Sequence, residues 1–136
     1  MQGLANICSG GNCTFTPQHS GKVQITIFGT IVAASGATAG DGIIHEIYYG
    51  TGTAPTNGAS IAGTLCTPFS GGSGAAQEST LEATPASVAN VNRSFSLSCT
   101  ASLTVGTTYW TDLAAKSVAT VSHIGLANVG WSIIEN

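Results

Sequence analysis

Arg93-Ser94-Phe95-Ser96-Leu97-Ser98-Cys99-Thr100-Ala101-Ser102-Leu103 is the stretch that decides how this chain folds. From Phe95 to Leu103 every second residue is apolar, and each residue between is Ser or Thr. Successive side chains of a strand point to opposite faces, so this alternation describes one buried face and one hydroxyl-covered face. Cys99 falls on the apolar side, where it reads as a small buried hydrophobe.

The same period appears upstream in Lys22-Val23-Gln24-Ile25-Thr26-Ile27, which puts Val23, Ile25 and Ile27 on one face, and residues 28–33 continue it. A small-residue loop follows. Ile43-Ile44-His45-Glu46-Ile47-Tyr48-Tyr49 is apolar on both faces, the pattern of a strand buried on both sides or lying in a subunit contact. Asn57-Gly58 is the strongest short hairpin signal, with short strands expected on either side, one of them in Thr64-Leu65-Cys66-Thr67-Pro68-Phe69. Ser70-Gly71-Gly72-Ser73-Gly74 then reads as a loop at a tip, and residues 78–89 tolerate a helical turn that Pro85 interrupts. Beyond a turn at Val105-Gly106-Thr107, further strands are expected over 108–114, 117–124 and 130–135. Seven to nine short strands with Gly-rich turns predict an all-β fold. The expected form is an antiparallel two-sheet jelly-roll sandwich over residues 21–136. It follows a short extended N-terminal arm, residues 1–20, marked by Gly10-Gly11 and Pro17.

Charged residues are scarce. Lys22, Arg93 and Lys116 face Asp41, Glu46, Glu78, Glu82, Asp112 and Glu135, so 7% of the chain is charged, against about 25% in an average soluble domain. Solubility of an isolated domain leans on mixed surface charge, so a chain this neutral reads as a structural subunit covered by copies of itself or by a larger assembly. A net charge of −3 with three scattered basic residues excludes a phosphate track, and no nucleic-acid partner is expected. Met1-Gln2-Gly3-Leu4-Ala5-Asn6-Ile7 has neither a basic n-region nor an apolar h-region, and no apolar run approaches a membrane span. Synthesis in a cytoplasm without a signal peptide, and no membrane partner, are the corresponding expectations.

The search for chemistry yields little. His19, His45 and His123 form no spaced pair, and His45 within a strand reads as a satisfied wall residue. Cys8, Cys13, Cys66 and Cys99 lack the paired knuckles of a zinc site, so no metal or cofactor is expected. Cys66 and Cys99 read as buried or disulfide-bonded. Cys8 and Cys13, in the polar stretch Cys8-Ser9-Gly10-Gly11-Asn12-Cys13, invite a covalent use. Glu78 and Glu82 read as a solvated face, and Asp112 as a polar residue on the outer face of its strand. With no convergent set of titratable groups, no catalytic residue is named and no enzyme is expected. Tyr48, Tyr49, Tyr109, Trp110 and Trp131 fill a core or a subunit contact, or else form a sugar-stacking platform.

Several segments carry a resemblance: Gly21-Lys22-Val23-Gln24-Ile25-Thr26-Ile27, Tyr48-Tyr49-Gly50-Thr51-Gly52-Thr53-Ala54-Pro55-Thr56-Asn57-Gly58, Leu103-Thr104-Val105-Gly106-Thr107-Thr108-Tyr109-Trp110-Thr111-Asp112-Leu113 and Trp131-Ser132-Ile133-Ile134-Glu135. Over about residues 21–136 the chain resembles small phage virion proteins and the related trimeric heads of the TNF/C1q-like type. The resemblance implies a tight homotrimer on the virion surface, a capsid decoration protein that cements the head against internal pressure and contacts the major capsid protein. Ile44, Tyr48, Tyr109, Trp110 and Trp131 are the candidates for trimer or partner contacts. Cys8 and Cys13 are candidates for a bridge between subunits or one closed within the arm. The alternative is a fibre tip or spike head that binds a host surface carbohydrate.

Overall fold

A computed structural model describes residues 2–3, 13–33, 42–68, 77–79, 91–118 and 124–136. Among these there is no helix, and the strands are β1 (Gln2–Gly3), β2 (Thr14–Phe15), β3 (Lys22–Ala33), β4 (Gly42–Gly50), β5 (Thr64–Leu65), β6 (Thr67–Pro68), β7 (Gln77–Ser79), β8 (Val91–Ser102), β9 (Tyr109–Val118) and β10 (Ile124–Glu135). They form two antiparallel sheets. In sheet A, β9 and β4 lie side by side; β1 and β2 border β9, and β5 and β7 border β4. Sheet B runs in the order β10-β3-β8-β6. The long strands β3, β4, β8, β9 and β10 alternate between sheets along the chain, so each connection crosses the sandwich.

The decisive alternation governs the packing. β3 and β8 pair over twelve residues, from Lys22 with Ser102 to Ala33 with Val91, without a register shift. Their inward residues Val23, Ile25, Ile27, Ile31, Phe95, Leu97, Cys99 and Ala101 form the core with Ile47 and Leu113 of sheet A. Ile25, Ile27 and Leu113 are wholly removed from water, each worth about 1.5–3 kcal/mol of transfer free energy. A one-residue slip would turn every one of these side chains outward, so burial locks the register.

Some boundaries differ from expectation. The ends of the strand expected over 117–124 belong elsewhere: Ser117 and Val118 finish β9 and Ile124 opens β10, and residues 119–123 lie outside the described residues. The 105–107 turn forms, with Thr107 N–H donating to the Thr104 carbonyl at 3.2 Å and Gly106 at φ 80°. Asn57-Gly58 turns the chain too, with Ala59 N–H on the Thr56 carbonyl and Gly58 at φ 80°. That turn is not a tight hairpin, because the flanking ladder is met only farther on, where Tyr48 and Tyr49 pair with Leu65 and Thr64. The segment expected as an arm supplies two short strands to sheet A, Gln2–Gly3 opposite Ala115 and Ala114, and Thr14–Phe15 opposite Trp110 and Tyr109. Of residues 78–89 only Glu78 and Ser79 are described, as the end of β7; the rest, with the 70–74 loop, lies outside the described residues.

Candidate interaction surfaces

The outer face of sheet B follows directly from the ladder registers. Across β10, β3 and β8 five outward ranks read Ile134-Gln24-Thr100, Ser132-Thr26-Ser98, Gly130-Phe28-Ser96, Ala127-Thr30-Ser94 and Gly125-Val32-Asn92, and exposed Lys22, paired with Ser102, stands at the end of the same face. None of the fifteen residues in the five ranks is charged, and all are exposed or half-exposed. Hydroxyls bond across the rank where Thr26 Oγ1 and Ser98 Oγ lie 2.9 Å apart. Two large apolar side chains stand out of the plane, Phe28 at 46% exposure and Ile134 at 54%. Strands ~4.8 Å apart and ranks ~6.7 Å apart make this plane on the order of 400 Å².

The five contact candidates do not share one surface. Ile44 and Tyr48 lie half-buried on the outer face of sheet A, where the Tyr48 hydroxyl donates to Glu46 Oε2 at 2.8 Å. Partial burial first, and then the Glu46 carboxylate, raise the Tyr48 pKa. Trp110 is buried within its own chain, against Gly50 and Gly63, with its indole N–H donating to the Thr51 carbonyl at 3.2 Å. Tyr109 packs with Phe15 and Tyr49, their ring centroids 6.1 and 6.2 Å from its own. Trp131 packs against the core from sheet B. Of the aromatic residues weighed as a sugar platform, half-buried Tyr49 and Tyr109 lie side by side, whereas Trp110 is buried and Tyr48 and Trp131 lie on other faces.

Cys99 is buried as expected, but it is not a free thiol. It is bonded to Cys66 across a Cα separation of 5.7 Å. Cys66 sits where the chain steps from β5 in sheet A to β6 in sheet B, with its N–H on the Ile47 carbonyl at 2.8 Å. The bridge therefore pins the crossover to the middle of the sandwich. Cys13 is buried and also disulfide-bonded, and Cys8 lies outside the described residues.

Two polar residues carry more than their sequence context announces. Glu135 accepts backbone N–H groups from Gln18 at 2.8 Å, His19 at 2.9 Å, Ser20 at 2.7 Å and Gly21 at 2.8 Å. Ser20 Oγ adds a donation to the Asn136 carbonyl. These donors, with Gln18 and Gly21 foremost, hold the carboxyl at a pKa of about 2. The segment entering β3 is thus latched to the end of β10. His45 is the reverse case and corrects the satisfied wall residue expected of it. It is fully buried, stacks on Phe95 with centroids 4.8 Å apart, and neither ring nitrogen has a hydrogen-bond partner. Burial pulls its pKa from 6.5 down to about 4.

The chemistry on offer is sparse. A cleft of about 570 Å³ lies beside Lys22, Tyr49, Thr100, Ser102 and Asn136, and among the described residues one cation and no acidic side chain line it. Asp112, expected on an outer face, is on the outer side of sheet A but buried. Asp41, Glu82 and His123 lie outside the described residues. Among the described residues no three His, Cys, Asp or Glu side chains gather as metal ligands, and no helix is long and apolar enough to cross a membrane. What the fold and its surfaces define is a disulfide-pinned β-sandwich with one broad face that is uncharged over five ranks and bears Lys22 at its end. No protein-family model matches the chain, and neither does a curated protein or a solved structure.

Proposed function

We propose that the protein is a structural subunit of a phage virion, a jelly-roll decoration protein that sits on the capsid as a homotrimer and cements the shell through the major capsid protein. The observation that carries this reading is the run of five ranks on the outer face of sheet B, beyond Lys22, without one charged side chain. Small Ser, Thr, Ala and Gly residues make such a plane flat, and a flat neutral plane loses little hydration of charge when another surface covers it. Its size supports weak, repeated contacts. A stable interface between two proteins buries about 800 Å² per partner, roughly twice this plane, so firm attachment requires several copies acting together, as on a lattice.

The test is localisation together with mass. Electron microscopy of particles bearing the tagged chain is expected to place it at local three-fold positions on the head, and light scattering of the purified protein to return three chains. Heads that contain the chain should rupture at a higher temperature than heads that lack it. A monomer in solution with no density on the capsid would overturn the proposal. Density at a fibre tip, with binding to host polysaccharide, would replace it.

A further inference from the structure

β10 is the border strand of sheet B, and among the described residues no strand pairs with its outer edge. No residue from 125 to 136 is buried, although the inward residues of its neighbour β3 are almost wholly removed from water. Natural proteins protect such edges with lysine, proline, bulges or free charge. The bulge here lies between Ala127 and Gly130, with Asn128 at φ 51°, and leaves the last six residues regular. Gly130-Trp131-Ser132-Ile133-Ile134-Glu135 contains neither lysine nor proline. Its single charge, the Glu135 carboxylate, is occupied by the backbone of residues 18–21. Among the described residues, the edge therefore keeps a row of strand donors and acceptors without a gatekeeper.

We propose that this edge pairs with the same edge of a second copy, antiparallel, about a two-fold axis at Ser132. The register follows from the backbone. Asn136 N–H donates to the Lys22 carbonyl at 2.9 Å, so by alternation the groups of Ser132 and Ile134 also point toward β3, and those of Trp131 and Ile133 point outward. An axis at Ser132 lets Trp131 of each copy exchange backbone hydrogen bonds with Ile133 of the other. On the inner side this brings together two half-buried apolar residues. On the outer side Ile134 falls opposite the second copy's Gly130, over which the Phe28 ring already lies, since a Cβ there would be 2.7 Å from Phe28 Cζ. Phe28 and Ile134, the exposed large apolar residues among those described in sheet B, are thus covered by one symmetric contact. An axis at Trp131 would push Ile133 against the bulge, and one at Ile133 would set Glu135 opposite Trp131; neither brings Ile134 to Phe28.

The paired sheet joins the uncharged ranks of two copies into one continuous plane, of the order of 800 Å² if each copy contributes ~400 Å². Because the contact is two-fold, in an assembly of trimers it links neighbouring trimers. It rests on the assembly reading for its role but not for its geometry.

Cysteine cross-linking tests it. Residues facing each other in a non-hydrogen-bonded antiparallel pair have Cα atoms ~4.5 Å apart, within the range a disulfide spans. Ser132→Cys is expected to oxidise to a covalent dimer joined through position 132. Ser96→Cys, on the same face but in the interior of the sheet, should stay monomeric on a non-reducing gel. Adding Ile134→Lys to Ser132→Cys should slow the cross-link roughly tenfold. Equal cross-linking of the two single variants, or none at position 132, overturns the strand contact. If trimers still form in that case, the assembly reading survives and only this contact falls.

Discussion

Replacing His45 with Phe should make the protein more stable and remove most of its sensitivity to mild acid. The imidazole is 0% exposed and stacked on Phe95, and both ring nitrogens are without partners. A buried polar group left unsatisfied costs about 1–3 kcal/mol, and an apolar ring of similar shape does not incur that cost. The variant is therefore expected to gain roughly 1–3 kcal/mol at pH 7, reduced by whatever overpacking the larger ring causes.

The pH dependence has a definite sign. In the unfolded chain His45 takes up a proton near pH 6.5, but in the fold it resists protonation until about pH 4. Between those values the unfolded state binds the extra proton, so stability is full above about 6.5 and falls as the pH drops toward 4. The slope is about 1.4 kcal/mol per pH unit, or roughly 2–3 kcal/mol between pH 6.5 and 4.5. The neighbouring acids Glu46 and Asp112 belong to the opposite side of sheet A, opposite Ala114 and Tyr48 in the ladder, so neither carboxylate stands beside the ring to offset the loss. Urea unfolding followed by the fluorescence of Trp110 and Trp131, at pH 7, 6, 5 and 4.5, measures both effects. Wild-type and His45→Phe curves that lose stability in parallel over this range would refute the reasoning.

Glu135→Gln should expose the amides of residues 18–21 to hydrogen exchange and lower stability near neutral pH. The Glu135 pKa is depressed from 4.5 to about 2, so its contribution is present above 4.5 and lost as the pH falls toward 2; the variant should lose less stability than the wild type over that window. Replacing both Cys66 and Cys99 with Ser opens a bridge spanning 33 positions and should cost about 3–4 kcal/mol, read from the urea midpoint. Gly63→Ala should cost about 1–3 kcal/mol, because its Cβ would stand 2.5 Å from Trp110 Cη2 and 2.8 Å from the Tyr49 carbonyl. Gly130→Ala meets only the Phe28 ring, at 2.7 Å. That ring is exposed and can swing away, so thermal unfolding should move far less than for Gly63→Ala.

Strand faces were legible wherever one side is wet. In β8 the alternation assigned Phe95, Leu97, Cys99 and Ala101 inward and Ser94, Ser96 and Ser102 outward, and their burial follows that assignment. β9 was harder to read. Trp110, Thr111, Asp112, Leu113 and Ala114 are all buried, so both faces are covered and periodicity carries no information there. The bounds expected at 117 and 124 were misplaced for a related reason, since the local pattern does not show where one strand ends and the next sheet begins. The contact candidates were chosen by residue type, and type does not reveal that Gly50 and Gly63 open a slot that buries Trp110.

The sequence by itself determined that nearly every strand has an apolar side, that the other side is neutral, and that few groups are available for chemistry. Those properties reside in single residues and their nearest neighbours, so they point to a sandwich without any knowledge of pairing. Only the tertiary structure decided that Cys66 meets Cys99, that His45 is closed off against Phe95, that the residues before β3 occupy the Glu135 carboxylate, and that β10 borders its sheet. Each of these depends on which distant segments lie side by side. Strand order is set by the packing of the whole core, and no local period encodes it.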